Sequence, residues 1–386
     1  MAENKKQLTL GSLFDGIAGF PLAAVRHGIK PVWGSEIEPD CVDITEKQFP
    51  DMQRLGDITK ISGVEITPVD IISFGSPCQN MSVAGNGKGL AGEASRLFFE
   101  AVRIIDEMRC ATNGQYPKYA IWENVAGAFS SNKGRDFQKV LEEITKTGIP
   151  MPASGRWAAA GMVRSWGGST AWRTLDAQYW GVPQRRKRIY LVHSFGNGRA
   201  GQILFECESV FRDIAQGRAE RKDSSTNSGR SIKKTDRMPA IFTIAGNVIG
   251  RTGKNGGNQL GVSRDISYTL TAADRHAVAV PKVLLYQDKI GSLCARDYKG
   301  VGNQYVGENK LIIQQKSENY KVRRLIPIEY ERLQGFPDDW TKYGASGKEM
   351  SDNVRYKALG NSIAVPCAER VFRGILATGQ EIKEDG

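Results

Sequence analysis

Short β-branched runs alternate with stretches whose apolar residues recur every three or four positions through the first half of the chain. Leu8-Thr9-Leu10-Gly11-Ser12-Leu13-Phe14 alternates as a strand, and Asp15-Gly16-Ile17-Ala18-Gly19 turns into a helix starting near Phe20-Pro21-Leu22. A second strand, Pro31–Ser35, runs into Glu36-Ile37-Glu38, and Gly56-Asp57-Ile58-Thr59 adds another acid after a helix, for which an N-cap is the plainer alternative. Val69-Asp70-Ile71-Ile72-Ser73-Phe74 is nearly continuous and apolar, the signature of a strand buried in a parallel sheet. Spacings of three and four predict a helix over Ser95–Ile105 and another over 130–147, the latter with Phe137, Val140, Leu141 and Ile144 on one face. Between the two, Tyr119-Ala120-Ile121-Trp122 reads as a strand that stops at Glu123-Asn124-Val125.

Strands alternating with helices predict an α/β fold with a doubly wound sheet. Segment 148–171, rich in Gly, Ala and Pro, carries no assignable pattern. Strand Ile189–Val192 follows a basic cluster, and alternation puts Gln184, Arg186 and Arg188 on one face. From about 194 the character changes. Residues 212–237 are polar and basic, and Thr269–Arg275 and Ser292–Tyr298 share a short S/T-L-x-A-x-D repeat among glycines and β-formers, which predicts a small β-rich module with many loops. A helical pattern returns at Leu325, Ile328, Tyr330 and Leu333 and ends at Gly335; a last helix, Ile363–Leu376, follows a turn at Gly360-Asn361. The expected division is 1–193, 194–320 and 321–386, the last returning to the first body.

Charge narrows the partners. Lys and Arg total 53 against 42 Asp and Glu, a net +11 that suits a polyanion. The six cysteines stand far apart with no C-x-x-C pair and the three histidines are scattered, so reduced thiols and no structural metal are expected. The amino terminus lacks an apolar signal core and no apolar run approaches membrane-spanning length, which predicts a soluble, cytoplasmic protein.

Candidate chemistry gathers at strand ends. Cys78 lies just beyond the strand ending at Phe74, where ligands bind in open α/β sheets, and 83–92 is glycine-rich and suited to a mobile lid. A packed, inert cysteine is the plainer alternative for that residue alone. Glu36 follows the glycine turn by about 20 residues, as a carboxylate on ribose hydroxyls does in nucleoside-binding βαβ units. The turn lacks a full G-x-G-x-x-G, which favours a nucleoside cofactor without phosphate. Glu123 is a second acid–base group at a strand end or a solvated loop glutamate, and the arginines of 185–188 are a solvated edge or an oxyanion-binding one.

Taken in order, Leu13-Phe14-Asp15-Gly16-Ile17-Ala18-Gly19, Glu36, Gly56-Asp57-Ile58, Gly75-Ser76-Pro77-Cys78-Gln79, Glu123-Asn124-Val125, Gln184-x-Arg186-x-Arg188, Arg324 through Pro337 and Gly360-Asn361-Ser362-Ile363-Ala364 resemble the motifs of the DNA (cytosine-5) methyltransferases of bacteria and phages. The resemblance covers nearly the whole chain. It implies an S-adenosylmethionine-dependent, Rossmann-like methyltransferase sheet built from both chain ends, with the middle segment as a target-recognition domain. It further implies sequence-specific methylation of carbon 5 of cytosine in duplex DNA, through a covalent Cys78 adduct and a flipped-out base.

By matched position Cys78 is the nucleophile, Glu123 serves ring nitrogen 3, Arg188 binds the ring carbonyl and Arg186 helps position the loop. Phe14, Gly16, Glu36, Ile37, Asp57, Ile58, Leu97 and Asn361 hold S-adenosylmethionine, and Gln79, Ser82 and Gln184 contact DNA. The turn ends Ala18-Gly19 where the family has Gly-Gly, and Ile37 stands where an aromatic is frequent. A cognate restriction endonuclease, or a phage or orphan role, and a monomer are the implied context. Methylation of tRNA by the same fold and a catalytically inactive DNA binder are the two alternatives; the long middle module argues against the first, and intact Cys78, Glu123, Arg186 and Arg188 argue against the second.

Overall fold

In the computed structural model the described residues are 7–76, 93–196, 198–205, 242–245, 262–270, 276–281, 312–315 and 318–380. Strands β1 (Thr9–Leu13), β2 (Lys30–Ser35), β3 (Gln53–Arg54), β4 (Ile71–Phe74), β5 (Tyr119–Val125), β6 (Ala160–Ser165), β7 (Gly168–Asp176) and β8 (Lys187–Phe195) form one eight-stranded sheet in the order β3-β2-β1-β4-β5-β8-β7-β6. The first five are parallel, and β8, β7 and β6 add on antiparallel. Reversal of the winding direction between β1 and β4 opens a crevice at their carboxyl ends. Gly11 is required inside β1 because a Cβ there would stand 2.2 Å from the Trp33 indole, which crosses over it from β2.

Helices cover both faces. The α3 (Glu93–Ala111) and α4 (Arg135–Thr145) helices close one side, and α4 buries the predicted Phe137, Val140, Leu141 and Ile144 there. Each such side chain contributes roughly 1.5–3 kcal/mol by leaving water. The opposite face carries α1 (Gly19–Val25) and α2 (Pro39–Gln48) from the amino-terminal part with α5 (Ala200–Leu204), α6 (Pro327–Gln334), α7 (Asp352–Asn361) and α8 (Val365–Gln380). The α1–α8 seam joins the two chain ends and is tied by Arg26 to Glu369 at 2.6 Å. A second sheet, antiparallel, orders β9 (Phe242–Ile244), β10 (Val262–Arg264), β11 (Ala277–Pro281), β12 (Ile312–Gln315) and β13 (Glu318–Arg324) as β10-β9-β11-β13-β12. The large mixed sheet with helices on both faces is the Rossmann-like arrangement. Among the described residues no helix is long and apolar enough to cross a membrane.

Several elements differ from the sequence reading. Segment 148–171 contains β6 and the start of β7, which pair with each other across Trp166-Gly167, while β8 joins β7 to the sheet. The β5 strand does not stop at Glu123 but runs to Val125, because β8 pairs Tyr190, Ile189 and Arg188 opposite Glu123, Asn124 and Val125. Gly360-Asn361 closes α7 rather than forming a free turn. The β8 strand continues to Phe195, and α5 packs against β7 and α8, with Arg370 Nη1 donating to the Ile203 carbonyl at 2.9 Å. At the other end, β13 carries the small sheet to Arg324.

The α6–α7 pair is locked by a buried carboxylate. Glu331 is fully buried and accepts from Arg355 Nη2 at 3.0 Å, Thr341 N at 2.9 Å and Asp339 N at 2.7 Å. Removing one partner of such a pair strands a charge. Glu331→Ala is expected to lower unfolding free energy by about 3–5 kcal/mol in urea titration; a loss under 1 kcal/mol would show that the lock is not needed.

Candidate active site

A cavity of about 540 Å³ lies at the crevice, walled by the residues that leave the sheet: Phe14 and Gly16 after β1, Glu36 after β2, and Gly75 and Ser76 after β4. Glu123, Arg186 and Arg188 close one end, and Asn361 with the α7 face closes the side. Residues separated by more than 300 positions therefore share one wall.

The Glu36 end is built on backbone amides. Its Oε2 accepts from Gly16 N at 2.8 Å, and its Oε1 accepts from Ile37 N at 2.8 Å and Glu38 N at 2.9 Å. Gly16 has φ of 56° with open space where a Cβ would point, which a glycine adopts without strain. Three further carboxylates, Asp15, Glu38 and Asp40, line the same end. Burial, with the Glu36 charge adding to it, pushes Asp15 up to about 7. This buried acid stands inside the quoted glycine-turn motif, yet reading the sequence did not single it out, because nothing local reports its burial.

At the other end, Glu123 is buried and its Oε1 stands 3.3 Å from Arg188 Nε. Burial raises the Glu123 carboxyl above the usual carboxylate range, against the pull of Arg188 and Arg186. A Cβ on Gly75 would lie 3.4 Å from Glu123 Oε2, so the carboxyl group rests directly against the chain three residues ahead of Cys78. Arg186 is also buried. Its backbone N donates to Asp176 Oδ1 at 3.1 Å, Nη1 to the Leu270 carbonyl at 3.0 Å, and Nη2 to the carbonyls of Gly360 and Ser362. It thus clamps the small sheet's segment and the end of α7 onto β8, a tie between distant segments that the sequence reading of a loop-positioning arginine did not contain.

The structure brings together Phe14, Gly16, Glu36, Glu123, Arg186, Arg188 and Asn361 around one cavity. Other expected site residues stand apart from its wall. Ile37 is 70% exposed. Asp57 spends Oδ1 on capping its own turn, accepting from Thr59 N at 3.0 Å, while Ile58 is buried in the apolar layer against which Leu97 packs. Gln184, an expected DNA contact, is placed inside the protein. It shares the face of Arg186 as predicted, but that face is internal: Gln184 is fully buried, bridges Ser267 in the small module and donates from Nε2 to the Leu333 carbonyl at 3.4 Å. Cys78, Gln79 and Ser82, with the 83–92 and 212–237 stretches and most of the short repeat, lie outside the described residues. Among the described residues no cluster of His, Cys, Asp and Glu is arranged to hold a metal ion.

The sequence pattern of the C-5 cytosine-specific DNA methylases matches residues 8–377, nearly the entire chain. The chain belongs to the C-5 cytosine-specific DNA methylase family. Among curated relatives, the methylase is 27% identical to a DNA N-6-adenine-methyltransferase of Escherichia phage P1, covering 98% of this chain and 63% of that protein's length. It is 26% identical to the type II methyltransferase M.DsaV of Dactylococcopsis salina, over 97% of this chain and 87% of the relative. Among solved structures, the Entamoeba histolytica methyltransferase EhMeth shares the fold with a TM-score of 0.54 at 12% identity, covering 97% of this chain and 99% of that one. The family makes this protein a DNA cytosine-5 methyltransferase and implies S-adenosylmethionine as methyl donor. The donor set of the cavity is compatible with that cofactor: Asp15, Glu36, Glu38 and Asp40 supply hydrogen-bond acceptors at one end, with Lys357 on Glu38 and Lys348 on Asp40.

Proposed function

We propose that this methylase modifies carbon 5 of cytosine within one short sequence of duplex DNA, with Cys78 as the nucleophile and the target base turned out of the helix into the Glu123–Arg188 end of the cavity. One observation carries the reading: a buried carboxyl, its pKa raised by desolvation, stands 3.3 Å from an arginine and rests against Gly75 at the exit that leads to Cys78. Carbon 5 of cytosine is a weak nucleophile. Addition of the Cys78 thiolate to carbon 6 forms a C–S bond and pushes the C5–C6 pair into the ring, making carbon 5 an enamine carbon. Charge arriving at ring nitrogen 3 is met by a proton from the Glu123 carboxyl, and the Arg188 guanidinium, which the Lys187 carbonyl and Glu123 orient, binds the ring carbonyl oxygen. Bound S-adenosylmethionine supplies the methyl group that carbon 5 takes up, and Glu36 holds its ribose hydroxyls. Loss of the carbon 5 proton to a base then restores the C5–C6 double bond and expels the thiolate.

The base must leave the duplex because its reacting atoms are stacked inside it. The net charge of +11 supplies phosphate contacts, and the small β-rich module, with its loops, supplies base contacts. In the cell the modification serves either a restriction-modification pair or a phage or orphan role, the relatives including type II methyltransferases and an orphan methyltransferase of Bacillus phage SPR.

Mass spectrometry of nucleosides from DNA of cells expressing the protein tests the reaction, and bisulfite sequencing tests the site. 5-Methylcytosine at one short motif supports the proposal. N6-Methyladenine instead, the chemistry in the phage relative's name, would overturn it, since an exocyclic amine needs no thiol adduct. For the cofactor end, Glu36→Ala is expected to raise the dissociation constant for S-adenosylhomocysteine roughly 10- to 100-fold, the scale of a charge-assisted hydrogen-bond pair. Calorimetry showing unchanged affinity would remove Glu36 from that role.

A further inference from the structure

The exit of β4 is held by side chains, not by strand pairing. The last paired residue of β4 is Phe74, opposite Trp122, while β5 runs on through Val125. Gly75 and Ser76 therefore leave the sheet without a backbone partner from β5. Trp122 Nε1 donates to Ser76 Oγ at 3.1 Å, and Asn124 Nδ2 donates to the Ser76 carbonyl at 3.3 Å and to its Oγ at 3.5 Å. The Asn124 amide is itself oriented, because its Oδ1 accepts from Val125 N at 2.8 Å. Trp122 cannot drift either: it is fully buried, edge-on to Phe98 of α3 at 5.9 Å and stacked on Phe137 of α4 at 6.2 Å. Glu123 projects from the opposite face of β5, with its carboxyl against Gly75. Successive residues of one strand thus grip the exit from both sides of the sheet.

We infer that Ser76 is a positioning residue for methyl transfer, its hydroxyl gripped by Trp122 and Asn124 so that the departing chain and the Glu123 carboxyl keep one fixed relation. The inference rests on the reading in which Cys78 attacks and Glu123 protonates. The reacting groups then come from neighbouring strand exits, and a shift of about 1 Å between them costs roughly 10²-fold in rate. Ser76 serves because a hydroxyl oxygen takes two donors in little space, whereas alanine there leaves the Trp122 N–H buried without an acceptor.

Covalent capture of duplex DNA carrying 5-fluorocytosine, with S-adenosylmethionine present, reads the step directly, since fluorine cannot leave as a proton does and the adduct persists. Ser76→Ala and Trp122→Phe are each expected to slow capture about 10- to 100-fold, with the dissociation constants for S-adenosylhomocysteine and DNA unchanged. Ser76→Thr, which keeps the hydroxyl, restores the rate, and the double variant is no slower than the slower single one, because both remove the same contact. Capture by Ser76→Ala at the wild-type rate overturns the inference, as does a parallel loss of cofactor and DNA affinity, which marks a merely structural role. Should Ser76→Ala fail to fold, Trp122→Phe decides by the same criteria. Wild-type protein that binds DNA and captures none would overturn the Cys78 reading and this inference with it; wild-type capture with unaffected variants sinks the Ser76 role alone.

Discussion

Cys78→Ala is expected to lose methyl transfer by at least about 10⁴-fold while binding DNA and S-adenosylhomocysteine as the wild type does. The size follows from the chemistry. Without a nucleophile at carbon 6 the ring stays aromatic, and no group in the Glu123–Arg188 cluster can substitute, because a carboxyl and a guanidinium stabilise charge but cannot add to the ring. The motif that places Cys78 two residues past Ser76 supports this expectation, together with the cavity against which Gly75 and Ser76 lie. Single-turnover transfer of labelled methyl groups to duplex DNA, beside a mobility-shift titration, measures both halves. Transfer within tenfold of wild type would end the covalent mechanism.

Glu123→Gln is expected to lower kcat about 10²- to 10⁴-fold, the usual contribution of a positioned acid–base group, and at the same time to raise stability at alkaline pH. The second part comes from burial, which disfavours the charged carboxylate more than Arg188 and Arg186 favour it. The folded-state pKa therefore lies above the unfolded one. A group of this kind contributes stability fully below its unfolded pKa, and that contribution is lost as pH rises through the folded value. Glutamine carries no such penalty. Melting temperatures of variant and wild type should be closest near pH 4 and separate in the variant's favour toward pH 8. A variant that melts lower at pH 8 would mean that the Arg188 pair outweighs desolvation. The same sign governs Asp15, pushed up to about 7, so wild-type stability should fall between about pH 4 and pH 7 from this group as well.

Such a cost is what an active site accepts. Burial shifts Glu123 toward its protonated form and makes its ionised form less favourable, so one environment sets both the acidity proposed for the chemistry and the stability. Arg186 shows the complementary case. Burial, with Arg188 nearby, pulls its guanidinium below the usual arginine range, yet it stays in place on carbonyls from Leu270, Gly360 and Ser362. These contacts make it a joint between three segments rather than a group reserved for substrate.

Local pattern was enough where one short window carries the cause. The apolar spacing of Phe137, Val140, Leu141 and Ile144 dictates a helix with one buried face, and the run Ile71–Phe74 dictates a fully buried strand. Motif order identified the family and put Glu36, Glu123 and Arg188 in named roles, because each chemistry demands those residue types next to a strand end. Pattern was not enough for α7, whose apolar residues have no single face because it packs Arg355 inward on Glu331 and turns Lys357 and Asn361 to the cavity. Nor was it enough for Gln184, whose alternation with Arg186 was legible while the burial of their shared face was not.

The chain by itself determined most of its elements, its charge and the chemical identity of its strand-end residues, since these depend on neighbours within a turn or a pleat; the β6–β7 hairpin and α7 were the exceptions. Only the tertiary structure decided which of them meet. Gly16 with Glu36, Glu123 with Arg188, Arg186 with Ser362 and Ser76 with Trp122 are pairs 20 to 176 residues apart. Their distances, and the desolvation that shifts Asp15 and Glu123, arise only when strand order and helix packing close the crevice around them.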